Sequence, residues 1–381
     1  MAYFDHNATA PLSAVARASW LQAQDEAWQN PASGYRAGAR VKALLERERA
    51  RLAQMLECAE DLLVFTSGAT EGANAVWAHL AARESGATRV LLNPTEHSCV
   101  LAAARRWFPG RVELLPVDAN GVVDRAALHL RLKGGGVAAV AIMAANNETG
   151  VIQPWRAFAA DCRATETPFF CDAVQWLGKL PAGGLGAAEF VIGSAHKFGG
   201  PKGVGFLKLP AGPAGRGFAS LAGGGQQEGR RSGTEDYPAV AALVAALAEA
   251  ESSLVLQETS RLQWRAQFET AAAMALPGIR IVGSGADRLW NTVLAILPEG
   301  ENARWVTKLD RRGFQVSTTA ACGGAQGRSS AVLAALGVPT DQARRALRFS
   351  AGWATTSADW QSLLAALVEV RQEIGGGAVS A

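Results

Sequence analysis

Seven short apolar runs, at 62–66, 89–93, 111–117, 137–144, 168–172, 190–194 and 204–209, divide the first part of the chain. Several are continuous rather than alternating: Phe190-Val191-Ile192 and the stretch from Val137 to Ala145 have no polar position, the pattern of strands buried on both faces. Before and between the runs, at 41–56, 70–83, 98–107 and 155–165, apolar residues recur at helical spacing, as in Val41, Leu44, Leu45, Leu52, Met55 and Leu56. Buried strands joined by crossover helices predict an α/β fold with a mostly parallel seven-stranded sheet flanked by helices. A glycine-rich loop at 223–234 closes this region, and an alanine-rich helical tract runs from 239 towards 275. Beyond it, 280–282, 291–297, 314–317 and 347–350 read as strands, and 301–311, 329–336 and 358–374 as helices. Thr356-Ser357-Ala358-Asp359 opens the last helix as a capping box. The expected division is a large domain over 12–250 and a smaller α+β domain made of 1–11 with 251–381.

In open parallel sheets ligands sit beyond the carboxyl ends of the strands, and polar side chains gather there in this sequence. The runs end at Ser67-Gly68-Ala69-Thr70-Glu71, Pro94-Thr95-Glu96-His97, Asn146-Asn147-Glu148, Cys171-Asp172-Ala173-Val174-Gln175 and Ser194-Ala195-His196-Lys197. Gly68 before a helix start offers free N–H groups to an anion such as phosphate. As structure alone, Thr70 and Glu71 read as an N-cap and a first-turn acid. Asp172, emerging from Phe169-Phe170-Cys171, is either protonated, paired with a cation such as a protonated ring nitrogen, or capping the next turn. Lys197 ends a buried run and either snorkels to water or joins an aldehyde covalently. Pyridoxal phosphate (PLP) needs a lysine, a carboxylate and a phosphate cradle together, and all three are present.

Charge and cysteine usage narrow the alternatives. A formal charge of +3 spread over 381 residues gives no basic groove for nucleic acid and no basic membrane-binding face. The longest apolar runs are too short to span a bilayer and Met1 to His6 has no secretory pattern, so a cytoplasmic location is expected. Five cysteines without a CxxC pair argue against a disulfide framework and against a metal site. Cys58, Cys99, Cys162 and Cys171 lie in apolar contexts and read as small buried hydrophobes. Cys322 differs. It sits in the small-residue loop 318–327, with Gly323 and Gly324 beside it, and is a candidate nucleophile. Arg348, inside the run 347–350, wants a carboxylate, either the protein's own or a substrate's.

Together these motifs resemble the cysteine desulfurases of the NifS and IscS type, within the class V aminotransferase group of fold-type I PLP enzymes. The resemblance runs from Tyr3-Phe4-Asp5 through Arg231-Ser232-Gly233-Thr234 to Arg348-Phe349-Ser350. It implies removal of sulfur from L-cysteine, giving L-alanine and a persulfide on Cys322 for a sulfur-acceptor protein in iron–sulfur cluster or thio-cofactor assembly. It further implies that Lys197 holds PLP, Asp172 pairs with its ring nitrogen, His97 stacks on the ring and Gln175 bonds the ring oxygen. Ala69, Thr70, Ser194 and His196 would hold the phosphate, and Asn147 and Arg348 the substrate carboxylate. The family's enzymes are homodimers in which the residue matching Thr234 reaches the partner's cofactor. The alternative is a related class V enzyme, such as a selenocysteine lyase, a cysteine sulfinate desulfinase or an aminotransferase. The chain departs from the family's usual pattern at the loop Ala320-Ala321-Cys322-Gly323-Gly324, at Tyr35 and at Glu228.

Overall fold

The computed structural model describes residues 2–84, 86–318 and 330–376. Its elements run β1 (Ala2–Tyr3), α1 (Ala14–Glu26), α2 (Arg36–Leu56), β2 (Leu63–Thr66), α3 (Ala69–Arg83), β3 (Arg89–Leu92), α4 (Ser98–Trp107), β4 (Val112–Leu114), α5 (Arg125–Lys133), β5 (Val137–Ala141), α6 (Trp155–Ala164), β6 (Phe169–Asp172), β7 (Phe190–Ser194), β8 (Gly205–Lys208) and α7 (Tyr237–Ala275). There follow β9 (Arg280–Ile281), β10 (Thr292–Ile296), α8 (Asn302–Arg311), β11 (Phe314–Gln315), β12 (Ser317–Thr318), α9 (Ala331–Ala335), α10 (Thr340–Ala343), β13 (Ala346–Ser350) and α11 (Ser357–Gly376).

A seven-stranded sheet has the order β2-β8-β7-β6-β5-β3-β4, and only β8 runs antiparallel to its neighbours. The continuous apolar runs explain why it is buried on both sides. Leu91, Val191 and Phe206 face one apolar cluster, while Val90, Ile192 and Leu207, one residue away, face another. Trp77 of α3 is fully buried on the second face, edge-on to Phe108 and Phe170. A four-stranded antiparallel sheet, β12-β13-β10-β9, forms a second centre around Phe4, Trp305 and Phe349.

The N-terminal segment links the two sheets. β1 pairs with β11, Phe4 O accepts from Ser350 N at 2.7 Å, and the chain then crosses so that Ala10 N reaches His196 O at 2.7 Å. The capping box at α11 is present: Asp359 Oδ2 accepts from Thr356 N at 2.7 Å and Thr356 Oγ1 from Asp359 N at 3.3 Å. Two features depart from the sequence expectation. Residues 314–317 are not one strand, because β11 joins β1 while β12 joins β13. Helix α5 was unforeseen; its buried residues are only Leu128 and Leu132, and its start is marked by Asp124, whose side chain accepts from Ala126 N and Ala127 N.

Candidate active site

A cavity of about 560 Å³ opens beyond the carboxyl ends of β2, β5, β6 and β7, roofed by Asn7, Ala8 and Thr9 and by Arg348 from β13. Lys197, Asp172, Gln175, His97, Ala69, Thr70, Ser194, His196 and Asn147 all line it, so nearly every expected site residue is brought together. Thr234 does not line it; in the single chain it is exposed and borders a smaller cavity with Thr66 and Arg231. Cys322 lies outside the described residues.

The phosphate-like end is built by Gly68, whose φ of 148° is open only to glycine; a Cβ there would come within 3.5 Å of Ser194 Oγ. It precedes α3, whose first-turn N–H groups have no intrahelical acceptor and suit an anion. Thr70 is therefore not the cap, and Glu71 folds back to accept from Ser67 N at 2.8 Å while pairing with Arg231 at 3.1 Å. His196 hydrogen-bonds Thr9 Oγ1 at 3.1 Å, and burial, then the charges of Lys197 and Lys202, push it down to about 4.

The opposite end is acidic. Asp172 closes β6, accepts from Val174 N at 2.9 Å and is pushed up to about 6 by burial, against the pull of that N–H and of Lys197. Beside it Glu96 is buried, accepts from Met143 N and is held well above the carboxylate range by burial and by Asp172, so Asp172 ionises first. Its Oε2 is buried without a partner. His97 caps α4: its Nδ1 accepts from Cys99 N at 3.2 Å, which puts the proton of the neutral ring on Nε2. Burial, then Lys197, pushes it down to about 4.

Lys197 is not in the strand but three residues past its end at Ser194, in a turn over Ala195–Lys197. Its Nζ donates to Asn7 O and Ala8 O, each at 2.8 Å. Gln175 Nε2 donates to the same Asn7 carbonyl at 3.0 Å, and its Oε1 accepts from Lys179 Nζ at 3.0 Å. Arg348 meets the protein's own acid: Nη2 pairs with Asp5 Oδ1 at 2.6 Å and Nη1 donates to Asn147 O at 3.0 Å, and among the described residues the buried Nε has no acceptor. Cys99 is not merely a buried hydrophobe. It lines the cavity with Sγ 3.0 Å from His97 Nδ1, and burial pushes its thiol up to about 12.

Four residues of the site were not singled out from sequence: Asn7, Glu96, Cys99 and Lys179. Glu96 had a signal, as a carboxylate at a buried strand end. Asn7 acts through its carbonyl, which any residue carries.

The family model described as Aminotransferase class-V matches residues 2–363. The chain belongs to that family. Within it this class V member groups with the cysteine desulfurases of the NifS and IscS type. It is 34% identical over 380 residues to the cysteine desulfurase of Rhodobacter capsulatus, covering 98% of this chain and 97% of that one. It is 35% identical to that of Cereibacter sphaeroides, covering 98% and 96%. Among solved structures a NifS-like protein superposes with a TM-score of 0.89 at 29% identity, covering 98% and 99%. A structure titled SspA in complex with cysteine gives 0.79 at 25%, covering 92% and 98%.

Enzymes of this family depend on PLP, and the class V site here fits it. The donor set supplies an amine for an aldehyde, a carboxylate for a ring nitrogen and a glycine-opened helix start for a phosphate. Asn147 Oδ1, buried without a partner at the cavity wall, offers a further acceptor.

Proposed function

We propose that this enzyme removes sulfur from L-cysteine, leaving L-alanine and a persulfide on Cys322. When bound, PLP supplies an aldehyde for the substrate amine and a ring that takes up electrons released at the substrate carbons. Lys197 would hold that aldehyde, and its amine, within reach of the Asn7 and Ala8 carbonyls, would move protons at the substrate carbons. Asp172 keeps the ring nitrogen protonated, a partner that draws its own raised affinity for protons back down. His97, a neutral imidazole, would hold the ring, and Gln175 would donate to the ring oxygen. The N–H groups of Ala69 and Thr70, with Thr70, Ser194 and His196, take the phosphate. Arg348 and Asn147 receive the substrate carboxylate, which displaces or shares the Asp5 pairing.

Sulfur leaves when the thiolate of Cys322 bonds to the substrate sulfur. The carbon–sulfur bond breaks, its electron pair stays with the carbon fragment, and a proton delivered to that carbon completes alanine. The persulfide then passes to an acceptor protein. The working form is a homodimer in the cytoplasm, with exposed Thr234 reaching the partner's phosphate. The large cofactor-binding domain comprises 12–250, and 1–11 with 251–381 make the smaller one. The separate apolar clusters around the seven-stranded and four-stranded sheets support this division.

One observation carries the reading: the Lys197 amine, the Asp172 carboxylate and the Gly68 cradle converge on a single cavity. Alanine and sulfide released from L-cysteine by PLP-loaded protein test it. Wild type forms both in the presence of a thiol reductant, and Cys322→Ala does not; equal rates would refute the role of Cys322. Release from selenocysteine or cysteine sulfinate alone would reassign the substrate.

A further inference from the structure

Lys179 is a buried cation near the cavity, with 3% of its surface exposed, as is Arg348. Among the described residues no carboxylate pairs with it. Its amine donates to Gln175 Oε1 at 3.0 Å, across four residues of a tight turn. That turn is fixed from two sides. Trp290 Nε1 donates to Lys179 O at 3.0 Å, and Gly178, at φ 71°, lies so close to Phe198 that a Cβ would come within 2.4 Å of the Phe198 Cβ. Burial, then the nearby charges of Lys197 and Arg348, push the Lys179 amine down to about 7.

A primary amide has two ends, and either could face a ligand. Lys179 removes the choice. A lysine donates and an ammonium cannot accept, so the bond at Oε1 turns Nε2 towards Asn7 O and the cavity. A cation buried without a counterion also calls for an anion in reach, and one held through an amide relay serves.

We propose that Lys179 is a positioning residue that pins Gln175 with its N–H groups facing the cofactor's ring oxygen and places a positive charge behind that bond. The proposal rests on PLP occupying this cavity as described above. Removing Lys179 frees the amide to turn its oxygen towards the ring oxygen, and the bound cofactor then holds its acidic proton more tightly.

The test records the absorbance of PLP-loaded protein against pH, without substrate. Lys179→Met, similar in length and apolar, moves the midpoint of the visible band upward by about one pH unit. Lys179→Arg, which keeps a donor-only cation there, returns the midpoint towards wild type and serves also if the Met variant does not fold. In Gln175→Ala the midpoint is already raised, and adding Lys179→Met moves it no further. A Lys179→Met midpoint equal to wild type overturns the proposal, as does a Lys179→Arg midpoint equal to that of Met, or a full Lys179 effect in the Gln175→Ala background. Wild type with no visible band after PLP loading would instead overturn the assignment of the cavity to PLP, and this proposal with it.

Discussion

The two ends of the cavity are opposites in charge. At one, Asp172 and Glu96 are two buried carboxyls; at the other, Lys179, Lys197 and Arg348 crowd together, and Asp5 pairs with Arg348. Burial penalises charge at both ends, and a like neighbour adds to the penalty at Glu96 and at Lys179. Such an arrangement is costly in an empty protein and matched by a ligand of the reverse polarity. A ring with a protonated nitrogen, an anionic oxygen and a substrate carboxylate is such a ligand. The molecule is thus shaped less by pairs within itself than by charges it receives.

Breaking the acidic end has the largest expected effect. Asp172→Asn keeps the hydrogen bond from Val174 but cannot hold a ring proton, and alanine release falls about 10²–10³-fold. A loss below tenfold would separate the acidic end from the chemistry.

At the cationic end Glu148 gives a pH test of stability. Its carboxyl, on which Ser330 Oγ rests at 2.5 Å, is pushed from 4.5 up to about 7 by burial, against the pull of Ser330 and Arg348. Between these values the folded chain keeps a proton that the unfolded chain has lost. The group's contribution is therefore full below pH 4.5 and is lost as pH rises through 7. Asp172, raised from 3.8 to about 6, acts in the same direction; His6, His97 and His196, each lowered from 6.5 to about 4, act in the other. Glu148→Gln cancels only the first. As pH rises across that window, the thermal midpoint of the cofactor-free variant gains on that of wild type, and a constant difference between the two counts against a buried neutral Glu148.

The smallest effect is expected at Glu96. Because Asp172 ionises first, Glu96 is already an uncharged acid, and Glu96→Gln keeps the acceptor for Met143 N. Alanine release changes less than about threefold, below the worth of one ordinary hydrogen bond. A large loss would mean that both carboxylates are charged at once.

Much of this was legible in the chain. The unbroken apolar runs before Ser67, Asn146, Asp172 and Ser194 announced strands buried on both faces, and polar residues at their ends announced a site, because a core does not tolerate such residues unpaired. Lys179 was not legible: a lysine four residues after Gln175 looks like an exposed turn residue until the packing of Trp290 and Phe198 is seen. Asn7 contributes a carbonyl, and no side-chain pattern marks a carbonyl. Cys99 sits in an apolar helix start, and only the cap geometry of His97 brings its sulfur to the cavity. The split of 314–317 followed from the N-terminal strand, a partner more than three hundred residues away in sequence.

The most direct test is to load the protein with PLP, reduce it with borohydride and map the pyridoxyl mass by peptide sequencing. The label is expected on Lys197. A label on Lys179 or on Lys202, which also borders the cavity, or no label at all, would contradict the account.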